Sequence, residues 1–417
     1  MDPLPVQSKI ASPASRHEML LDQAARQLNA RGVLLTSLAE IAAELGISRS
    51  AMYYYVEDRE DLVFQCYRRA AEVTARHLHE ASRAGGNAAQ VLQTFVTRML
   101  DPNEPEIAAR AEMAMMNETQ RDTIQGLHDA MSTRLAHLLE NGHREGVLRQ
   151  CDVEVCARII LSMVTWAPLA RPWAHSIGPL GHSRLLAAAI ATVLEGFASD
   201  RKLPTYRSMD LSQLSPPAVR AFDRAAALDA KREALVREAS RLFNRKGIDA
   251  TSLEEIAARV GATKRTLHHH IGSKADLVIA CYDRAFRIFF YIKDGMTAYA
   301  GSRLESLVAA MHALALAYTS EVLTPLSPLV GFAALSHEGQ ARIEAHSKAL
   351  ADTYHAQLRR GIDEQCMPSL DVDARAMMLP GLLSWLVKDD VPSDPNAQQH
   401  IAREIANFVA LGVGHIA

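Results

Sequence analysis

One stretch of this chain is written twice. Thr36 to Val63 reads TSLAEIAAELGISRSAMYYYVEDREDLV, and Thr251 to Val278 reads TSLEEIAARVGATKRTLHHHIGSKADLV, 215 positions later (251 − 36) with no gap between them. The register holds outside these limits. Ala24, Arg26, Asn29, Gly32, Cys66, Tyr67, Arg69 and Ala70 each meet the same residue at that offset. Self-similarity over such a span marks an internal duplication, and it constrains the architecture before any single element is assigned. Farther on, Asp152-Val153 and Trp166 match Asp371-Val372 and Trp385 at 219 positions (385 − 166), and Ile190-Ala191 matches Ile405-Ala406 at 215 again (405 − 190). Small insertions therefore fall in loops between elements that both halves share.

Each copy carries the same local grammar. Leu38, Ile41, Ala42 and Leu45 lie at i, i+3, i+4 and i+7, the apolar stripe of an amphipathic helix. Ser37 with Glu40, and Ser252 with Glu255, read as capping boxes at its start. Gly46 and Gly261 end it, because glycine enters a left-handed turn without a Cβ clash. Ser48 or Thr263 then caps a short second helix running to about Val56 or Ile271. Helix, glycine turn, helix is the helix-turn-helix, whose second helix enters the DNA major groove. A preceding helix from Arg16 to about Ala30, with Leu20, Leu21, Ala24, Ala25 and Leu28 on one face, completes a three-helix unit.

The order Gly32, Thr36-Ser37-Leu38, Ile41-Ala42, Gly46-Ile47-Ser48, Met52-Tyr53-Tyr54-Tyr55-Val56, Arg59, Asp61-Leu62 resembles the DNA-binding domain of the tetracycline-repressor (TetR) family. The second copy follows with Thr251, Leu253, Ile256-Ala257, Val260-Gly261, Leu267, His269-His270, Lys274 and Leu277. The chain departs from the family's pattern where His268 stands in place of Tyr, Val56 and Ile271 in place of Phe, and Arg59 in place of Lys. The resemblance implies an all-α fold of two tandem TetR-like domains, each a helix-turn-helix unit backed by a helical ligand-binding and dimerisation domain. It implies binding to a double-stranded DNA operator, relief of repression by a small-molecule effector, and phosphate contacts from Arg59 and Lys274.

At 417 residues the chain exceeds one ordinary core. The expected division is an arm at 1–15, a first helix-turn-helix domain at 16–62, a first regulatory domain at 63–199, a linker at 200–227 rich in Pro and Ser, a second helix-turn-helix domain at 228–277 and a second regulatory domain at 278–417. Expected helices after the first unit run from about Asp58 to Ser82, Ala88 to Leu100, Glu106 to Asn117, Arg121 to Arg144, Val153 to Ala167 and His182 to Ala198. In the second half the last two run from Asp371 to Lys388 and Ala397 to Val413. In this family the last two helices pair two subunits, so the chain is expected to fold as its own pseudo-dimer. Charge interrupts every apolar run well short of a membrane span, the start lacks a signal-peptide core, and the five cysteines have no metal-type spacing. A cytoplasmic protein with reduced, packed thiols is expected.

The net charge of −3 hides an asymmetry. From Arg16 to Asp61 five arginines face eight acidic residues, a balance of −3; from Lys231 to Asp276 ten basic residues face six acidic ones, a balance of +4. Phosphate attraction dominates non-specific affinity, so the two copies are not expected to bind DNA equally.

The candidate DNA contacts are Thr36, Ser48, Arg49, Ser50, Tyr53, Tyr54 and Arg59 in the first copy. In the second they are Thr251, Thr263, Lys264, Arg265, His268, His269 and Lys274. Arg and Lys reach guanine edges or phosphate, Tyr donates to phosphate, and His can do either. Three successive histidines, His268 to His270, splay about 100° apart on a helix and do not read as a metal site. Candidate pocket residues are Met99, Met113, Met116, Met131, Met163 and Trp166, with Met311, Phe332, Tyr354, Met378 and Trp385 in the second half; a plain helical core is the competing reading. No metal or cofactor is expected, and no catalytic motif stands out. Asp389-Asp390 reads as a solvated helix cap. The alternative function is a ligand sensor or scaffold in which one or both helix-turn-helix units no longer bind DNA.

Overall fold

The computed structural model describes residues 13–33, 35–110, 113–174, 181–215, 224–328, 330–332 and 335–415. Among them there is no β-strand beyond one isolated bridge, Leu148 to Gly414. The first half runs α1 (Pro13–Arg31), α2 (Leu38–Glu44), α3 (Arg49–Met52), α4 (Arg59–Arg83), α5 (Ala88–Leu100), α6 (Glu118–Arg144), α7 (Val153–Ala174) and α8 (His182–Leu194). The second repeats the order with α9 (Arg224–Lys246), α10 (Leu253–Arg259), α11 (Lys264–His270), α12 (Lys274–Thr297), α13 (Arg303–Thr319), α14 (His337–Asp363), α15 (Val372–Met378) and α16 (Pro395–Leu411). The helix starts are set by side chains that accept from backbone amides: Ser37, Ser48, Asp58, Asn87 and Asn117 in the first half, Ser252, Ser273, Ser302, Ser336, Asp371 and Asp394 in the second. Each supplies an acceptor to an otherwise unpaired N–H group.

The apolar side chains fall into three cores. One lies within α1–α4, closed by Ala108, Met116 and Ile124; a second lies within α9–α12, closed by Leu326, Leu335 and Ile343. The third is shared. Phe95, Leu135, Ile160, Trp166 and Phe197 of the first half pack in one cluster with Met311, Leu382, Trp385, Ile405 and Phe408 of the second. Two small helical units are thus mounted on one common body.

The junction is reciprocal. Gly196 follows α8 and Gly412 ends α16, both at positive φ (67° and 59°). A Cβ on Gly196 would meet Ala410 O at 2.4 Å, and one on Gly412 would meet Val193 O at 2.5 Å. The close approach lets Phe197 N donate to Val409 O at 2.9 Å while Val413 N donates to Val193 O at 2.7 Å. Two buried arginines cross the same boundary: Arg149 Nε donates to Gly412 O at 2.6 Å, and Arg375 donates to Gly196 O. Burial holds the Arg375 guanidinium down to about 10. At the centre of α7, Ser162 Oγ donates to Gly381 O at 2.6 Å and Trp166 Nε1 to Met377 O at 3.2 Å.

Several expected spans change. Residues 106–110 are irregular, with a 3-10 turn at Met113–Met115 where a helix from Glu106 was expected. The backbone there is satisfied by the helix-turn-helix unit instead: Glu106 N by Asp22, Ile107 O and Ala109 N by Asn29, Glu106 O by Arg69. The expected helix from Asp371 to Lys388 stops at Met378 and continues as 3-10 turns at Leu379–Leu382 and Ser384–Val387, because Pro380 has no N–H to give. Its counterpart α7 has Leu161 at that position (380 − 219) and runs unbroken past Ala167 to Ala174. The helix from His182 ends at Leu194, before Gly196. At the start, α1 already begins at Pro13, and the rest of the expected arm, 1–12, lies outside the described residues. Residues 201–211 are irregular but lie against the second half: Tyr299 Oη accepts from Arg207 N at 2.6 Å and Tyr291 Oη donates to Asp210 O at 2.8 Å.

Asp389 is not a solvated cap. Its side chain is 7% exposed and pairs with Arg110 and His128 of the first half, and it sits beside the half-buried Lys388. Asp390 is exposed and pairs with Arg245 on α9 at 3.2 Å. The pair follows a broken helix that turns its last residues back toward both helix-turn-helix units.

Candidate nucleic-acid interface and the cavity behind it

The two helix-turn-helix units are alike in frame and different in reading surface. In the first, Ser48 caps α3, accepting from Ala51 N at 3.1 Å, and its Oγ lies 2.9 Å from Ser50 Oγ. The helix stops at Met52; the backbone then tightens, with Tyr54 N donating to Ala51 O and Tyr55 N to Met52 O. The element is therefore shorter than the expected run to Val56. Arg49 and Ser50 are exposed, Tyr53 is 48% exposed and Tyr54 83%, while Met52 and Val56 are buried. Tyr54 sets its ring edge-on to Tyr55, with centroids 5.4 Å apart, and is otherwise open to a partner. Tyr55 is held back, stacked on His17 with ring centroids 5.9 Å apart.

In the second unit α11 continues for seven residues to His270, and Gly272 takes φ 100° just beyond it. Thr263, Lys264, Arg265, His268 and His269 are exposed and Leu267 is buried. Lys264 is not free: its Nζ pairs with Glu254 on α10 at 2.5 Å. That bond holds the Glu254 carboxyl below its usual range. Arg59 and Lys274 are the first residues of α4 and α12, each following a capping Asp58 or Ser273, where a backbone-rich helix start also favours anions. Lys274 Nζ donates to Asp249 O at 3.4 Å. Burial raises the Asp249 carboxyl above its usual value, opposed first by Lys274 and then by Arg59, so the start of α4 lies within electrostatic reach of the loop before α10. Thr36 and Thr251 take a different place from the other candidates. Both are buried, and each Oγ1 donates to the carbonyl of Gly32 or Gly247 at 2.8 Å, locking the turn into α2 or α10.

Behind the second unit lies a cavity of about 650 Å³. Tyr282, Phe286 and Ile343 of the second core form one side, and Met311, Leu314 and Leu383 of the shared core the other; Trp166 of the first half closes it. Of the candidate pocket residues, Trp166, Met311, Phe332 and Tyr354 line it. Met99, Met131, Met163, Met378 and Trp385 pack in the shared core, and Met113 and Met116 in or against the first helix-turn-helix core. Sequence reasoning missed Tyr318 and His355, which also line the cavity. A signal existed: in register these positions are Asn103 (318 − 215) and Ala136 (355 − 219) in the first half, and Tyr354 is Leu135 (354 − 219), so the copies part company where the cavity opens. Glu254, which ties up Lys264, was also missed, being read as one acidic residue among many.

All five cysteines are free, and burial pushes the thiols of Cys66 and Cys281 up to about 12. Among the described residues no cluster of His, Cys, Asp or Glu is placed to hold a metal ion, and no helix is long and apolar enough to cross a membrane.

Comparison with known proteins places this geometry. The family profile for bacterial regulatory proteins of the tetR family matches twice, at residues 20–66 and 235–281, and the tetracyclin repressor-like C-terminal domain matches residues 88–197. The HTH-type transcriptional regulator AcrR of Shigella flexneri is 26% identical over 135 residues, a match covering 29% of this chain and 63% of that protein's length. Among solved structures, the TetR family transcriptional regulator PfmR from Thermus thermophilus is 25% identical, with TM-score 0.37, covering 42% of this chain and 96% of its own. The ketosteroid transcriptional regulator KstR2 of Mycobacterium tuberculosis is 20% identical, with TM-score 0.35, covering 43% of this chain and 95% of its own. Each of these covers less than half of this chain, whose two profile matches carry the same pair of capped, glycine-ended helices in two places. The chain belongs to the tetR family of bacterial regulatory proteins and carries that family's helix-turn-helix unit twice in one polypeptide.

Proposed function

We propose that this protein is a cytoplasmic transcriptional repressor that grips one DNA operator with both of its helix-turn-helix units, as a covalent pseudo-dimer, and lets go when a small apolar molecule enters the cavity. The observation that supports this most is the mounting of two capped helix-turn-helix units, each with exposed cationic or aromatic side chains, on one shared core. Two readers held by one body address successive major-groove faces, about 34–36 Å apart. Arg49, Ser50, Tyr53 and Tyr54 read one half-site; Lys264, Arg265, His268 and His269 read the other. Their chemistry differs, so the half-sites differ and the operator is an imperfect palindrome.

Selection of bound duplexes from a random pool tests this. Enrichment of two unlike half-sites one helical turn apart is the expected result. A perfect palindrome, or no enrichment at all, contradicts it. The sensor or scaffold reading draws on one observation, the acidic first unit, and it is the reading left standing if no duplex is enriched while the cavity still takes a ligand.

A further inference from the structure

We propose that the chain has a single effector site, confined to its second half and closed by Trp166 of the first, and that it takes an uncharged, mostly apolar molecule carrying a hydrogen-bond acceptor. This deepens the effector part of the reading above and is independent of DNA binding.

The size and walls set the body of the ligand. A volume of about 650 Å³ is that of a site for a drug-sized molecule. Phe286, Phe289, Met311 and Trp166 offer rings and a flexible thioether on several sides. The polar groups set its head. Tyr318 and Tyr354 line the cavity, and among the described residues neither hydroxyl has a hydrogen-bond partner. Burial pushes both phenols far above their ordinary value, so both remain protonated at physiological pH. Both residues are half-buried, so each hydroxyl is a donor open to the cavity, and a ligand acceptor that displaces water there gains a hydrogen bond. His355 also lines the cavity; its Nε2 is buried and unpaired, and burial holds the ring neutral by lowering its pKa.

The charge of the ligand follows from what the walls lack to balance it. The permanently charged residues among the described lining are Glu344 and Lys348; both are exposed, and Lys348 is paired with Asp352 at 2.7 Å. An anion taken into the cavity would lose its hydration with no free cation to replace it, and a cation would meet only the exposed carboxylate of Glu344.

The first half does not repeat this chemistry. Phe286 and Phe289 stand where α4 has Ala71 and Thr74, 215 positions earlier (286 − 71). The Phe286 ring meets His346 of α14 edge-on, with centroids 4.8 Å apart. Pro380 breaks the second half's helix beside the cavity, where Leu161 keeps α7 whole. Leu135 and Ala136, in place of Tyr354 and His355, are buried in the shared core. Because the cavity lies between the second helix-turn-helix core and the shared core, an occupant touches both and pulls on one reader directly.

The test is a fluorescence titration of the full chain with Nile red, a neutral dye with a ring carbonyl, beside anilinonaphthalene sulfonate, an anion. The expected result is one saturable Nile red site per chain, not displaced by the anion. Tyr318→Phe and Tyr354→Phe should each weaken it by about 5- to 30-fold, the value of one hydrogen bond. Ala351→Phe, which fills the cavity, should abolish it, while Ser132→Phe at the matching first-half position leaves it intact; circular-dichroism melts establish that each variant is folded. Two equivalent sites per chain, unchanged binding in both Tyr→Phe variants, or displacement of Nile red by the anion overturns the proposal. If Nile red binds as expected but no operator is found, the site stands and the repressor reading falls.

Discussion

Arg110 of the first half and Asp389 of the second, 279 residues apart, form a largely buried ion pair, with His128 Nε2 3.4 Å from the other carboxylate oxygen. Arg110 belongs to the irregular segment that α1 and α4 hold in place, and Asp389 follows the broken helix that walls the cavity. The next residue, Asp390, reaches Arg245 on α9. One short stretch therefore touches the supports of both DNA-reading units.

Replacing that carboxylate should weaken the whole chain. Burial pushes the Asp389 carboxyl up, but His128, 3.4 Å away, and the charge of Arg110 overcome it and hold the group down at about 2. A carboxyl depressed in the folded state adds stability that is fully present above its unfolded pKa, near 4, and is lost as pH falls toward 2. Asp389→Asn should cost about 2–4 kcal/mol in urea unfolding at pH 7, since it also strands Arg110, and much less at pH 2. An equal cost at both pH values would show that the pair is not the source.

Acid should act on the histidines as well. Burial lowers the pKa of His77, His143, His312 and His355. A buried imidazole that resists its proton costs nothing above its ordinary value, near 6.5, and destabilises the fold as pH drops below it, because the unfolded chain takes up the proton first. The urea midpoint should therefore begin to fall below about pH 6.5, before any carboxylate titrates. His312→Gln should flatten that early fall; an unchanged profile in this variant would remove His312 from the set.

DNA binding should be unequal between the halves. Lys264→Ala/Arg265→Ala should weaken operator binding more than Arg49→Ala, at about 1–3 kcal/mol for each side chain that reads a base well, with a shallower salt slope for each phosphate partner removed. The ion pair of Lys264 with Glu254 adds a sharper expectation. Glu254→Gln should tighten binding, because the lysine no longer has to leave a partner. A salt titration by fluorescence anisotropy reads all of these, and equal effects in the two halves would refute the asymmetry.

The crossing at the chain's two glycines should be intolerant of a side chain. Gly412→Ala places a Cβ against Val193 O and Leu194 C in a left-handed backbone, so a loss of about 1–3 kcal/mol or more is expected in urea unfolding. Gly46→Ala also has a positive φ but open space around the new methyl, and should cost only the conformational strain of about 1 kcal/mol.

The duplicated register made the helical fold and both helix-turn-helix units legible, because caps, glycine turns and apolar stripes are local signals. What escaped was non-local. The segment from Glu106 has helix-forming residues, yet Asp22, Asn29 and Arg69 supply its hydrogen bonds in place of a helix's own. Asp389 looked like surface because its partner, Arg110, is far away in the chain. The cavity was sought in both halves, largely among methionines, whereas it opens in the second, where Phe286, Phe289, Tyr318 and Pro380 join the expected Met311, Phe332 and Tyr354.

The central claim is that one polypeptide supplies both readers of one operator, and the mass of the complex tests it most directly. Light scattering on the 45.7 kDa chain bound to a selected duplex should give one chain per operator at low concentration, with Arg49→Ala and Lys264→Ala/Arg265→Ala each weakening that same complex. Two chains per operator, each needing only one of its helix-turn-helix units, would contradict the account.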